Sequence, residues 1–177
     1  MRPTRQAAPK WLKAYTIRTF QRSGRKSLLI TGAKGAGKST LLEELIDGAS
    51  VPGVVSEVER GADGLPARVW LRERGGGRRC LIGVRDTGAM RPCKEVFDAG
   101  GVALLQAVRH APGAWAAVDE IGFLEACSPP YLDELRLLFE QKRVLAAVRK
   151  DSTPFLQELF ARSDCFVLDL DGVEEEA

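Results

Sequence analysis

Residues Gly32-Ala33-Lys34-Gly35-Ala36-Gly37-Lys38-Ser39-Thr40 place three glycines, two lysines and two hydroxyls in a stretch that fits the spacing G-x-x-x-x-G-K-[ST]. Such a loop wraps a polyphosphate. Gly32, Gly35 and Gly37 let the backbone turn with its N–H groups pointing inward at phosphate oxygens, a geometry that side chains would obstruct. A helix opening at Lys38 would add its amino-terminal dipole, Lys38 a point charge for the β- and γ-phosphates, and Ser39 a hydroxyl for Mg²⁺. A second constellation is AWAAVDE, residues 114–120. Asp119, at the carboxyl end of an apolar run, suits a carboxylate that orients Mg²⁺ and its waters, and Glu120 beside it could polarise an attacking water. Arg60, Arg149 and Lys150 are candidates to offset charge on a transferring phosphoryl group, because they follow expected strands at loop positions.

A loop of this kind works only between a strand and a helix, and both are legible. Ser27 to Thr31 (SLLIT) is a short apolar run, and Leu41, Leu42, Leu45 and Ile46 recur at helical spacing before Gly48. Val51 to Gly88 alternates β-rich pieces with turn residues, which predicts antiparallel strands or hairpins inserted into the main fold. A helix follows Phe97, with Val102, Leu105 and Val108 on one face, and AWAAV is a buried strand. Ser128-Pro129-Pro130 opens a helix over Tyr131 to Gln141, Arg143 to Val148 is a strand, Thr153-Pro154 opens another helix, and Cys165 to Leu170 is the last strand. Strands alternating with helices argue an α/β fold: a mainly parallel sheet covered on both faces, carrying the antiparallel β-rich insertion.

Composition narrows the chemistry. The 177 residues are 45% apolar and 28% charged, which suits a single domain. Apolar runs such as Val102 to Leu105 fall far short of the ~20 residues of a membrane-spanning helix. The single histidine, His110, and the lack of asparagine exclude two-histidine metal sites, Cys/His/Asn triads and an Asn-Lys-x-Asp base-reading segment. Cys80, Cys93, Cys127 and Cys165 form no CxxC pair and read as idle, reduced thiols, the pattern expected of a cytoplasmic protein. Residues 1–26 carry eight basic and no acidic side chains, so the remaining residues carry 18 basic against 24 acidic. This basic amino-terminal arm reads first as a solvated, partly frayed terminus, onto which Trp11, Leu12, Tyr15 and Ile17 could fold; it could also meet RNA or another anionic partner. Residues 172–177 form an acidic tail.

The order GAKGAGKST, SEVERG, VDEIGFLE, VLAAVRK resembles the small P-loop nucleoside-triphosphatases of the thermophile type, a family that includes the human cancer-related nucleoside-triphosphatase. The resemblance covers roughly Lys26 to Asp171, and Asp119-Glu120-Ile121-Gly122 with Glu125 carries more of it than the loop does. It implies a three-layer P-loop NTPase domain, here residues 27–171, that hydrolyses ATP, GTP and other nucleoside triphosphates with Mg²⁺, slowly and with broad base tolerance. Residue by residue it implies phosphate binding along Gly32 to Thr40, metal at Ser39 and Asp119, and catalysis by Lys38, Glu120 and Arg60. Two departures stand out: an Asn-Arg pair near the end of better-known members has no counterpart, and Arg91 to Val96 replaces their Gly-Lys-Tyr-like segment. A small-molecule kinase, which hands the phosphoryl group to a bound acceptor, and a nucleotide-dependent accessory module for a protein or RNA are the alternative readings.

Overall fold

A computed structural model describes residues 8–174 of the chain. Its strands are β1 (Ser27–Thr31), β2 (Gly53–Arg60), β3 (Pro66–Glu73), β4 (Arg79–Asp86), β5 (Ala89–Pro92), β6 (Trp115–Ile121), β7 (Arg143–Val148) and β8 (Cys165–Asp169). They lie in one sheet, in the order β5-β4-β3-β2-β6-β7-β1-β8. Pairing is parallel from β2 through β6, β7 and β1 to β8, and antiparallel from β2 out to β5. The β-rich insertion is therefore an extension of the main sheet rather than a separate layer. Its last strand, β5, was not foreseen, because AMRP lacks the apolar alternation that marks a strand.

Helices cover both faces: α1 (Lys10–Ser23), α2 (Lys38–Ile46), α3 (Lys94–Val96), α4 (Val102–His110), α5 (Pro129–Gln141) and α6 (Pro154–Phe160). Strand alternation divides the core between the two faces. Leu28 and Ile30 of β1, Ala117 of β6 and Leu145 and Ala147 of β7 pack with Leu41, Leu42 and Ile46 of α2. Leu29, Ala116, Val118, Val144 and Ala146 face the other way, onto Leu105, Leu135, Leu138 and Leu156. Every residue of β1 is buried, as a central parallel strand requires, and each such Leu or Ile contributes about 1.5–3 kcal/mol. The expected helix starts hold: Ser128 Oγ accepts from Tyr131 N at 3.3 Å and Thr153 Oγ1 from Leu156 N at 3.3 Å. Phe97–Gly101 is a π-helical turn leading into α4.

Much of the basic amino-terminal segment is ordered helix, not a frayed arm. In α1, Leu12, Tyr15 and Phe20 pack on the α2 face of the sheet, Thr16 is fully buried, and Phe20 meets Trp115 edge-on at 6.4 Å. Ile17, expected to pack, is exposed on the opposite side of the helix. Two of the segment's cations are structural: Lys13 pairs with Asp47 at 3.2 Å, and Lys26 Nζ donates to the carbonyls of Phe139 and Glu140 at the end of α5. Residues 1–7 of the arm and 175–177 of the acidic tail lie outside the described residues.

The join between the parallel and antiparallel halves is tight. Gly53 of β2 lies against β6, where an added Cβ would come within 2.2 Å of the Ala117 carbonyl oxygen. Backbone, not a flexible side chain, would have to move. Gly53→Ala should therefore cost about 3 kcal/mol of stability, read as a lower urea midpoint at unchanged slope; a midpoint equal to wild type would contradict the register of this join.

Candidate functional site

The glycine-rich loop leaves β1 and enters α2 at the carboxyl ends of the parallel strands, the edge of an open α/β sheet where ligands gather. Gly35 and Gly37 hold φ values of +83° and +95°, a region that side-chain-bearing residues avoid, and Gly37 caps α2. Lys38 Nζ curls back onto the loop, donating to the carbonyls of Gly32 and Ala33 at 3.0 Å each.

Ser39 Oγ donates to Asp119 Oδ1 at 2.6 Å. That contact follows from alternation: Asp119 lies two residues beyond Ala117, on the sheet face that packs against α2. Glu120 interrupts the alternation. The pairing of β6 with β7 slips between Asp119 and Ile121, so Val118 and Ile121 both reach the opposite core although they are three residues apart. Glu120 is the extra residue, half-exposed and lining the cavity beside the loop. The bulge is what points the neighbouring Asp119 and Glu120 in different directions.

The cavity, about 620 Å³, runs from the glycine-rich loop past Glu120 to β2, β3 and β4. Its far wall is apolar, made by Val58, Pro66, Val69, Ile82 and Met90. Gly32 to Gly35, Gly37 to Thr40, Arg60, Arg149 and Lys150 also line it; Ala36 does not. Arg60 sits at the far rim with Nη1 donating to its own turn at Gly64 O, 2.8 Å away. Lys150 is held by two carboxylates, Asp169 Oδ2 at 2.8 Å and Asp171 Oδ2 at 2.6 Å, which raise its pKa. Asp171 in turn accepts from the Ala33 amide at 3.0 and 2.9 Å, and the Lys150 hydrogen bond, followed by that amide, lowers its pKa. Sequence reading placed Asp171 only at the end of a domain. Nothing local signals a contact across 138 positions.

Glu125 is the other carboxylate whose environment sequence could not supply. It is buried in the cavity wall, where it accepts from Gly122 N at 2.9 Å. Burial pushes its pKa up to about 7, against the lowering effect of its backbone hydrogen bonds, with repulsion from Glu120 adding to the rise.

Among the described residues no three His, Cys, Asp or Glu side chains cluster into a metal site. One is not needed for Mg²⁺ held with a nucleotide, which takes one or two protein oxygens and completes its shell with phosphates and water. The hydroxyl and carboxylate oxygens of Ser39 and Asp119, already in contact, fit that hard, oxygen-only donor set. The four cysteines are free, and burial pushes the Cys80 and Cys165 thiols up to about 11, which leaves both protonated and unreactive. Among the described residues no helix is long and apolar enough to cross a membrane.

A family model described as NTPase matches residues 27–176. Among solved structures, the chain is similar to THEP1 from the hyperthermophile Aquifex aeolicus, with a TM-score of 0.63 and 18% identity over 81% of this chain and 89% of that one. At that identity the likeness is one of fold. No curated protein matches the sequence.

Glu125 supplies a test of the cavity wall. Its unfolded value is near 4.5 and its folded value about 7. Between them the native state holds a proton that the unfolded chain has lost, so this group's contribution falls as pH rises from about 4.5 to 7 and is flat above. Glu125→Gln keeps an acceptor for Gly122 N without the charge. The variant should match wild type near pH 4.5 and exceed it at pH 8 by on the order of 3 kcal/mol. Chemical denaturation at the two pH values reads the difference; a pH-independent difference would place Glu125 in a solvated setting.

Proposed function

This chain belongs to the NTPase family, and on that premise we propose that it hydrolyses nucleoside triphosphates to diphosphate and phosphate with Mg²⁺, slowly and with little choice among bases. The observation that carries the reading is the Ser39–Asp119 contact beside Glu120, which sets a metal corner and a carboxylate next to a phosphate-binding loop. Loop amides from Gly32 to Thr40 and the start of α2 hold the phosphates. Lys38 exchanges the Gly32 and Ala33 carbonyls for β- and γ-phosphate oxygens. Ser39 and Asp119 would hold Mg²⁺, which when bound would neutralise charge on the phosphates. Glu120 accepts a proton from water as its oxygen bonds to the γ-phosphorus; the bond from that phosphorus to the bridging oxygen breaks, and the diphosphate leaves. Arg60, tied to Gly64 O at the far rim, adds its charge only if the β2–β3 turn moves inward.

Base tolerance is consistent with the cavity's lining. Apart from Ser56 and Arg60 of β2, its wall on β2 to β5 is apolar, and an Asn-Lys-x-Asp segment for reading guanine cannot exist in a chain without asparagine. One observation favours a second reading. The cavity continues past Glu120 along Val58, Val69, Ile82 and Met90, room in which a phosphoryl acceptor could replace water.

Phosphate release from ATP, GTP, CTP and UTP with Mg²⁺, run beside Lys38→Ala, tests the reading. Release from all four within about tenfold of one another, abolished by Lys38→Ala and by chelation, is the expected result. Glu120→Gln should keep nucleotide binding and lose release by about 100-fold or more. Nucleotide binding without release would move the assignment to the acceptor reading, and release that survives Lys38→Ala would overturn it.

A further inference from the structure

The cavity is lined by two arginines, and their surroundings differ. Arg60 spends a guanidinium donor on Gly64 O. Arg149 directs Nε at two carboxylates, Glu120 Oε1 at 3.3 Å and Asp151 Oδ2 at 3.4 Å, and its guanidinium lies 5.4 Å from the centre of the Phe123 ring. Neither carboxylate contact has hydrogen-bond geometry. Among the described residues Arg149 donates no side-chain hydrogen bond, and Asp151 Oδ2 is buried without a hydrogen-bond partner. A guanidinium confined by charge on one side and by a ring on the other, yet with its donors uncommitted, is arranged to meet an additional anion.

Position makes the anion specific. Arg149 follows β7, the strand between β1 and β6, and its backbone N–H donates to Ile121 O at 2.9 Å, one residue beyond Glu120. The stem of the side chain lies over Gly122, where any Cβ would fall 2.7 Å from Arg149 Cδ. The turn after β6 is therefore shaped to let Arg149 pass. On the hydrolytic reading Ser39 and Asp119 would hold the metal, and Glu120 would receive the attacking water from its side of the cavity. Arg149 stands on that same side.

Resting on the hydrolytic reading above, we propose that Arg149 is a catalytic residue that binds the γ-phosphoryl group in the transition state, leaving Glu120 to do so. Nε and the terminal nitrogens turn from the carboxylates to the equatorial oxygens as the bond to the bridging oxygen lengthens. The one movement places positive charge where negative charge spreads and releases the Glu120 carboxylate to take the proton of the attacking water. No bond is made or broken by Arg149 itself.

The test uses the full chain and three readouts: single-turnover phosphate release at saturating Mg-ATP, Mg-ADP affinity by calorimetry, and retention of Mg-ADP with aluminium fluoride, which mimics the transferring phosphoryl group. Arg149→Met should lower release by about 100-fold or more, shift Mg-ADP affinity by less than about threefold, and lose the aluminium fluoride complex. Arg149→Lys, which keeps charge without the fork, should recover part of both losses. Release within about threefold of wild type with the fluoride complex intact would overturn the proposal. So would a loss of Mg-ADP affinity as large as the loss of release, the mark of a structural role. A wild type that forms the fluoride complex but releases no phosphate would sink the hydrolytic reading alone, because Arg149→Met would still be judged by that complex.

Discussion

A hydrogen bond of 2.6 Å joins Ser39, in the first turn of α2, to Asp119, 80 residues later at the end of β6. The two elements are not neighbours in the sheet: β7 lies between β6 and the strand that feeds the loop. The contact therefore exists only if three strands are in register and Asp119 falls on the α2 face. A hydroxyl donating to a carboxylate contributes about 1.5–3 kcal/mol, little against the burial of the core. Its importance is geometric. It fixes a hydroxyl and a carboxylate against each other beside the glycine-rich loop, where the proposed reading puts the phosphates, and the bulge one residue later turns Glu120 toward the cavity.

Charge around that corner is balanced before any ligand is considered. Lys38 rests on two loop carbonyls, Lys150 between two aspartates, and Arg149 between Glu120 and Asp151. These holds differ in kind. Lys150 and Asp171 lock each other and the Ala33 amide, so they keep the loop in shape. Lys38 rests on neutral carbonyls and Arg149 on carboxylates at the longer distances of 3.3 and 3.4 Å, contacts that on the proposed reading phosphate oxygens would replace. Oriented charge of this sort needs little rearrangement when a reaction develops new charge, which is the physical basis of much enzymatic rate enhancement. The outer half of the sheet takes part as well, since Arg74 of the β3–β4 turn pairs with Glu43 of α2 at 2.5 Å and ties the cavity's apolar wall to the loop helix.

How much of this the sequence carried depends on whether the determinant is local. The loop, its strand and its helix were legible because glycine spacing and apolar periodicity report backbone demands directly, and the two proline-led helices because Ser128 and Thr153 cap them within four residues. Asp119 and Glu120 were legible as a pair, but not the bulge that separates their directions, since one extra residue leaves no compositional mark. Helix α1 was masked by its charges. Lys10, Lys13, Arg18 and Arg22 suggested a solvated arm, while burial of Thr16 and packing of Leu12, Tyr15 and Phe20 decide its structure. Arg60 and Arg149 looked alike as cations after strands, and the resemblance singled out Arg60; their partners, Gly64 O for one and two carboxylates for the other, set them apart in the structure. Asp171 and Glu125 depend on contacts across the fold and on burial, which no short window contains.

The central claim is that Ser39 and Asp119 form one metal corner shared with the phosphates. The most direct measurement is Mn²⁺ titration by electron paramagnetic resonance with a slowly hydrolysed ATP analogue, comparing wild type with Asp119→Asn. A tight Mn²⁺ site that needs the nucleotide is expected, weakened about tenfold or more by the substitution while metal-free nucleotide binding changes little. Equal Mn²⁺ affinity in the two proteins would contradict it.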